Sequence, residues 1–156
     1  MEAGLFIDKI VSTVDRVFAA IDGLPPEAVE WRPAADANSL GVIGAHVLGN
    51  LEEVLLGVFL GQASARDREA EFSAEGETAE GLSGRWAALR VEIVAGAGGP
   101  GEGALDKEYK HPRRGTIAGA ELLLVVARHM AEHQGHAELT RQLWEAERAR
   151  KPRASS

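Results

Sequence analysis

Apolar residues recur near the start of the chain at Ile7, Ile10, Val14, Val17 and Ile21, in steps of three and four, with Asp8, Lys9, Ser12, Asp15 and Arg16 between them. That spacing predicts an amphipathic helix from about Leu5 to Ile21. Gly23 and then Pro25-Pro26 stop it. A Pro- and Ala-rich connector follows over 25–38 and carries Trp31-Arg32-Pro33, where the indole is expected to plug the end of a core. Asn38-Ser39, both good N-cap types, open a second predicted helix that reaches about Gly61. Its stripe is Leu40, Ile43, Val47, Leu51, Val54 and Val58, and Val42, Leu48, Leu55, Leu56, Phe59 and Leu60 carry apolar character round most of the cylinder. Such a helix is either central in a bundle or shared with a second subunit. His46, Asn50 and Glu53 interrupt it along a single line.

Residues 62–77 are polar and acidic and read as a surface loop. A third helix is predicted from about Thr78 to Ala95, with Leu82, Trp86, Leu89 and Ile93 as its stripe and Trp86 in the core. The Gly-rich stretch 96–115 is long for a connection inside one domain. Its second half, Leu105 to Arg114, could form an extended arm over one end of a bundle, with His111 exposed beside Lys110, Arg113 and Arg114. The fourth helix is predicted from about Thr116 to Arg148, with an interior line Leu122, Val126, His129, His133, His136, Thr140, Leu143. No strand-like alternation of useful length and no internal repeat is visible. The pattern therefore predicts an all-α four-helix bundle, forming one domain over 1–150, with a disordered basic tail at 151–156.

Composition narrows the chemistry. The 156 residues suffice for one domain with a real core. Cysteine is absent, which removes disulfides, thiolate metal ligands and a protein-borne thiol nucleophile together. The formal charge of -7 argues against nucleic acid or an anionic membrane surface as the main partner. The strongly apolar run Val54 to Leu60 falls short of the ~20 residues of a spanning helix. With no leader pattern at Leu5-Phe6-Ile7, which Asp8 and Lys9 break, the expected location is the cytoplasm.

The histidines carry the candidate chemistry. His129 and His133 project within about 40° of each other on a helix, and His136 returns to within about 20° of His129. Three core histidines could be satisfied by carbonyls or water, but an intact helix has few free carbonyls, and burying an unpaired polar group costs about 1–3 kcal/mol. Two imidazoles one turn apart also hold divalent metals, and His46 on the second helix would complete a set of three. Three protein ligands leave coordination positions open, the pattern of a catalytic site. His46, His129 and His133 are therefore the candidate metal ligands, and His136, one turn on, the candidate acid/base. Asn50 and Glu53 could orient ring N–H groups. Imidazole suits Zn, Ni and Fe alike, so the metal itself stays open.

Three pieces of the chain, Trp31-Arg32-Pro33, Asn38-Ser39-Leu40-Gly41-Val42-Ile43-Gly44-Ala45-His46 and His129-x-x-x-His133-x-x-His136, together resemble the DinB-like superfamily, which includes the mycothiol-dependent maleylpyruvate isomerase N-terminal domain. The resemblance implies an up-down-down-up course, a homodimer and a divalent metal at His46, His129 and His133. It also implies action on a small-molecule substrate with a low-molecular-weight thiol, as a thiol S-transferase or isomerase. Two other functions suit the same residues. One is a metal-dependent hydrolase, whose bound water would have its pKa lowered to about 7. The other is a non-catalytic, stress-related metal-binding dimer.

Overall fold

A computed structural model describes residues 3–62 and 76–150. Most of the acidic loop and the whole of the basic tail expected from the sequence lie outside the described residues. The elements are α1 (Ala3–Ile21), a short α2 (Pro26–Glu30), α3 (Leu40–Asn50) continued by a π-wound segment (Leu51–Phe59), α4 (Ala79–Gly96), the strands β1 (Glu108–His111) and β2 (Gly115–Ala118), and α5 (Gly119–Arg150).

Contacts between helix ends give the course of the chain. Late in α1, Arg16 pairs with Glu138 and the Ala19 carbonyl accepts from Arg141, both late in α5, so α1 and α5 run parallel. Phe18 stacks on Trp86, which lies early in α4, at 5.7 Å between ring centroids, so α4 runs against α1. Gly44 and Leu82 meet early in α3 and α4, while Leu60 and Gly96 meet at their far ends. The order is up-down-down-up. Trp86 is core as expected, and its indole N–H finds Asp15 Oδ1 at 2.9 Å.

α3 is the central helix. The Ser39 hydroxyl caps it by accepting from the Val42 N–H, and every residue from Leu40 to Asn50 is buried. Its girth is thus covered within a single chain. Leu40–Phe59 is long and apolar enough to cross a membrane by length and composition alone, yet 78% of its apolar window is buried inside the bundle. Beyond Asn50 the helix widens, as in the bond from the Leu60 N–H to the Leu55 carbonyl. The wider winding places the consecutive residues Val54, Leu55 and Leu56 in the core together.

Two expectations need correction. The last helix begins at Gly119, because Thr116 to Ala118 belong to β2, which pairs antiparallel with β1 (Tyr109 opposite Ile117, His111 opposite Gly115). β1 falls within the extended arm expected over Leu105 to Arg114, and its pairing with β2 is what moves the helix start. The interior line of α5 also differs. Leu123, Met130, Ala137 and Trp144 form the buried line at steps of seven, joined by Leu122, Val126 and Thr140, whereas His136 is exposed and Leu143 is 43% exposed. The histidines flank the core seam. Leu124, Leu139 and Leu143 put apolar residues on a second face of the helix, so periodicity alone did not place the seam.

The hairpin is fastened at both ends. The Tyr109 ring packs on Phe59 at 5.0 Å, and the Gly119 N–H donates to the Lys107 carbonyl. A Cβ on Gly119 would lie 2.1 Å from the Ala104 carbonyl oxygen, which is backbone and cannot yield cheaply. Gly119→Ala should therefore destabilise the fold by about 1–3 kcal/mol, read as a lower urea midpoint at unchanged slope. An unchanged midpoint would refute the close approach.

Candidate metal centre

The site forms where α3 and α5 cross. Gly44 and His46 lie about 200° apart on α3. A Cβ on Gly44 would come within 3.1 Å of Ile21 and 3.2 Å of Leu82, so the glycine face lets α3 nest against α1 and α4. The opposite face carries His46 towards α5. There Nε2 of His46 lies 3.1 Å from Nε2 of His129, which lies 3.3 Å from Nε2 of His133. The rings stand edge to face, with centroids 4.5–5.3 Å apart.

Hydrogen bonding alone does not explain this convergence. The Nε2 of a neutral imidazole offers either one proton or one lone pair, so His129 Nε2 can satisfy one of its two close neighbours. A tetrahedral ion with metal–nitrogen bonds of about 2.0–2.1 Å separates its ligand nitrogens by about 3.3–3.4 Å, close to both observed distances. The three side chains could hold a metal ion, as the sequence spacing suggested.

The environment favours the neutral, ligating form. Burial, and then the neighbouring His129, His46 and His136, push the His133 pKa down from 6.5 to about 3. His133 Nδ1 is buried without a hydrogen-bond partner among the described residues. Behind His129, the Glu132 carboxylate stands 3.8 Å from Nδ1, on the side where ligating histidines often face a carboxylate. Glu132 sits one turn from His129, a spacing visible in the sequence but easily read as a solvated position.

The other candidates are distributed around this centre. His136 approaches His133 with ring centroids 5.9 Å apart and lines a cleft of about 310 Å³ with Pro33, Asp36, Asn38, Thr140 and Leu143. The Trp31-Arg32-Pro33 stretch borders that cleft. Trp31 is half-buried at the end of α2, and Arg32 holds the loop by donating to the Ala37 carbonyl at 2.8 Å. Glu53 accepts from Arg113 at 2.9 Å and so ties the hairpin to the π-wound segment.

His111 corrects the expectation of an exposed loop histidine. It is buried on β1, and its Nδ1 accepts the Arg113 N–H at 3.1 Å. Burial first, then the charges of Arg113 and Arg114, hold its pKa below the usual histidine value. With Asn50, Arg113, Arg114, Arg128 and His129 it lines a cavity of about 100 Å³ beside the centre. The alternation Glu108-Tyr109-Lys110-His111, polar and then aromatic twice over, was the available signal.

Residues 7–146 match the family model described as Mycothiol-S-transferase. The chain belongs to the mycothiol-S-transferase family. This is a DinB-like family related to mycothiol enzymes, in agreement with the motifs at His46 and His129. No curated protein matches the chain. The match reaches into all four long helices and takes in His46, His129, His133 and His136 together.

Two outcomes are expected. Protein purified without a polyhistidine tag should carry about one divalent ion per chain. His46→Ala and His129→Ala should each weaken retention by more than the roughly 10–100-fold that outer partners typically contribute, while His136→Ala keeps the ion. Elemental analysis decides this, and full metal content in both ligand variants would dismantle the set. In metal-free protein, the unfolded chain binds a proton at His133 below about pH 6.5 that the folded chain refuses down to about pH 3. Stability should therefore fall as pH drops through that window. Urea melts of metal-free His133→Leu should show a shallower fall between about pH 7 and pH 5.

Proposed function

We propose that this protein is a metal-dependent thiol S-transferase that acts on a small-molecule substrate with a low-molecular-weight thiol of the mycothiol type. The observation that carries the reading is the convergence of three Nε2 atoms, with 3.1 and 3.3 Å between neighbours, in a chain of the mycothiol-S-transferase family. His46, His129 and His133 would hold the divalent ion. When bound, such an ion favours the thiolate form of a thiol, the reactive form.

The chain's own residues supply the rest. With no cysteine in the sequence, no internal thiol competes for the centre. The cleft lined by His136, one helical turn from His133, would take the body of the thiol. His136, exposed at its rim, takes the proton released from the thiol at a ring nitrogen and passes it to water. Buried His46 fixes the inner side of the site from the central helix. Family membership favours this reading over the hydrolase and the non-catalytic dimer.

Co²⁺-substituted protein titrated with mycothiol should develop a thiol-specific charge-transfer band. His136→Ala should keep the band but require higher pH to reach it. A ligand-field spectrum indifferent to mycothiol and to simpler thiols would overturn the proposal.

A further inference from the structure

The cavity enclosed by the hairpin turn and α5 opens onto His129 from the side opposite His136, and the proton and thiol chemistry proposed above makes no use of it. Its lining is strongly biased in charge. Arg113, Arg114 and Arg128 contribute, and no Asp or Glu does. Arg113 is engaged by Glu53 at 2.9 Å and Arg128 by Glu132 at 3.4 Å. Arg114 has no ion pair among the described residues and sits in the turn immediately before Gly115, whose φ of +74° shapes that turn.

Two buried side chains add direction to this charge. His111 has its Nδ1 occupied as acceptor of the Arg113 N–H, so a neutral ring carries its proton on Nε2 and offers it as a donor. Asn50 is buried, and its Oδ1 has no hydrogen-bond partner among the described residues. A buried acceptor without a partner is costly and points to a group that donates to it. At about 100 Å³ the space takes the end of a small molecule rather than the whole of one.

We propose that this cavity is a carboxylate-binding subsite for the second, electrophilic substrate of the thiol transfer, with Arg114 meeting the charge and His111 Nε2–H donating to a carboxylate oxygen. The planar guanidinium fork suits a carboxylate. Asn50 Oδ1 favours a carboxylate flanked by a hydroxyl or N–H, which brings the donor that this buried acceptor lacks. A molecule held here reaches the three-histidine centre past His129, while the thiol enters from the His136 side. The two substrates therefore approach from opposite faces. This inference rests on the thiol-transfer reading above.

The test uses full-length, ¹⁵N-labelled protein loaded with Zn²⁺ and titrated with glycolate and with glycolamide, its uncharged counterpart. Glycolate should shift the Arg114 Nε–H and Asn50 side-chain amide signals saturably. Its affinity should fall by at least about tenfold in Arg114→Gln and recover in part in Arg114→Lys, as loss and return of a charge-assisted contact require. Glycolamide should bind at least about tenfold more weakly than glycolate. Arg114 is exposed on a turn, so both variants should fold, and their zinc content serves as the check. Glycolate binding that is absent, that is unchanged in Arg114→Gln as simple coordination to the ion would be, or that glycolamide matches, overturns the subsite. A mycothiol band without Arg114-dependent glycolate binding removes the subsite alone. Arg114-dependent binding without a mycothiol band removes the thiol reading instead.

Discussion

Three imidazole nitrogens, with 3.1 and 3.3 Å between neighbours, fix how α3 and α5 must meet. One shared nitrogen cannot hydrogen-bond two neighbours at once, whereas a single ion could take all three as ligands. Holding it together demands that α3 and α5 cross at a fixed height. The fold meets that demand from both sides. Gly44 lets α3 sink against Ile21 and Leu82, and the seam Leu123, Met130, Ala137 and Trp144 anchors α5 beside it. The histidines sit just off the seam, where they are sheltered yet still reachable.

The hairpin gives the centre a second wall. It is tied down by Tyr109 on Phe59, by Arg113 on Glu53 and by the bond from the Gly119 N–H to the Lys107 carbonyl. These contacts bring His111 and the turn arginines within reach of a site otherwise built entirely from helices. The centre thus has a small basic cavity against His129, and a larger cleft lies one helical turn beyond His133, lined by His136.

Much of the bundle was legible in the chain. The stripes of α1, α3 and α4 predicted their burial, Ser39 and Thr78 marked helix starts, and the steps between His129 and His133 placed two ring nitrogens on one face. Other features were not legible, for identifiable reasons. The π-wound segment leaves the composition of an ordinary apolar helix unchanged. The interior line through His136 and Leu143 was off the true seam because α5 carries apolar residues on more than one face, Leu124, Leu139 and Leu143 among them. His111 looked like a loop residue because its burial comes from a partner strand only four residues long.

The helical class, the caps, the absence of any thiol and the pairing of His129 with His133 follow from local order along the chain, because each depends on residues within a few turns of one another. That His46 meets them, that His111 turns inward and that His136 stays outside are consequences of packing between distant parts of the chain. Those outcomes rest on how α3, α5 and the hairpin pack. That is set by a glycine facing Ile21, a seam at steps of seven and a backbone contact at Gly119, none of which local periodicity can express.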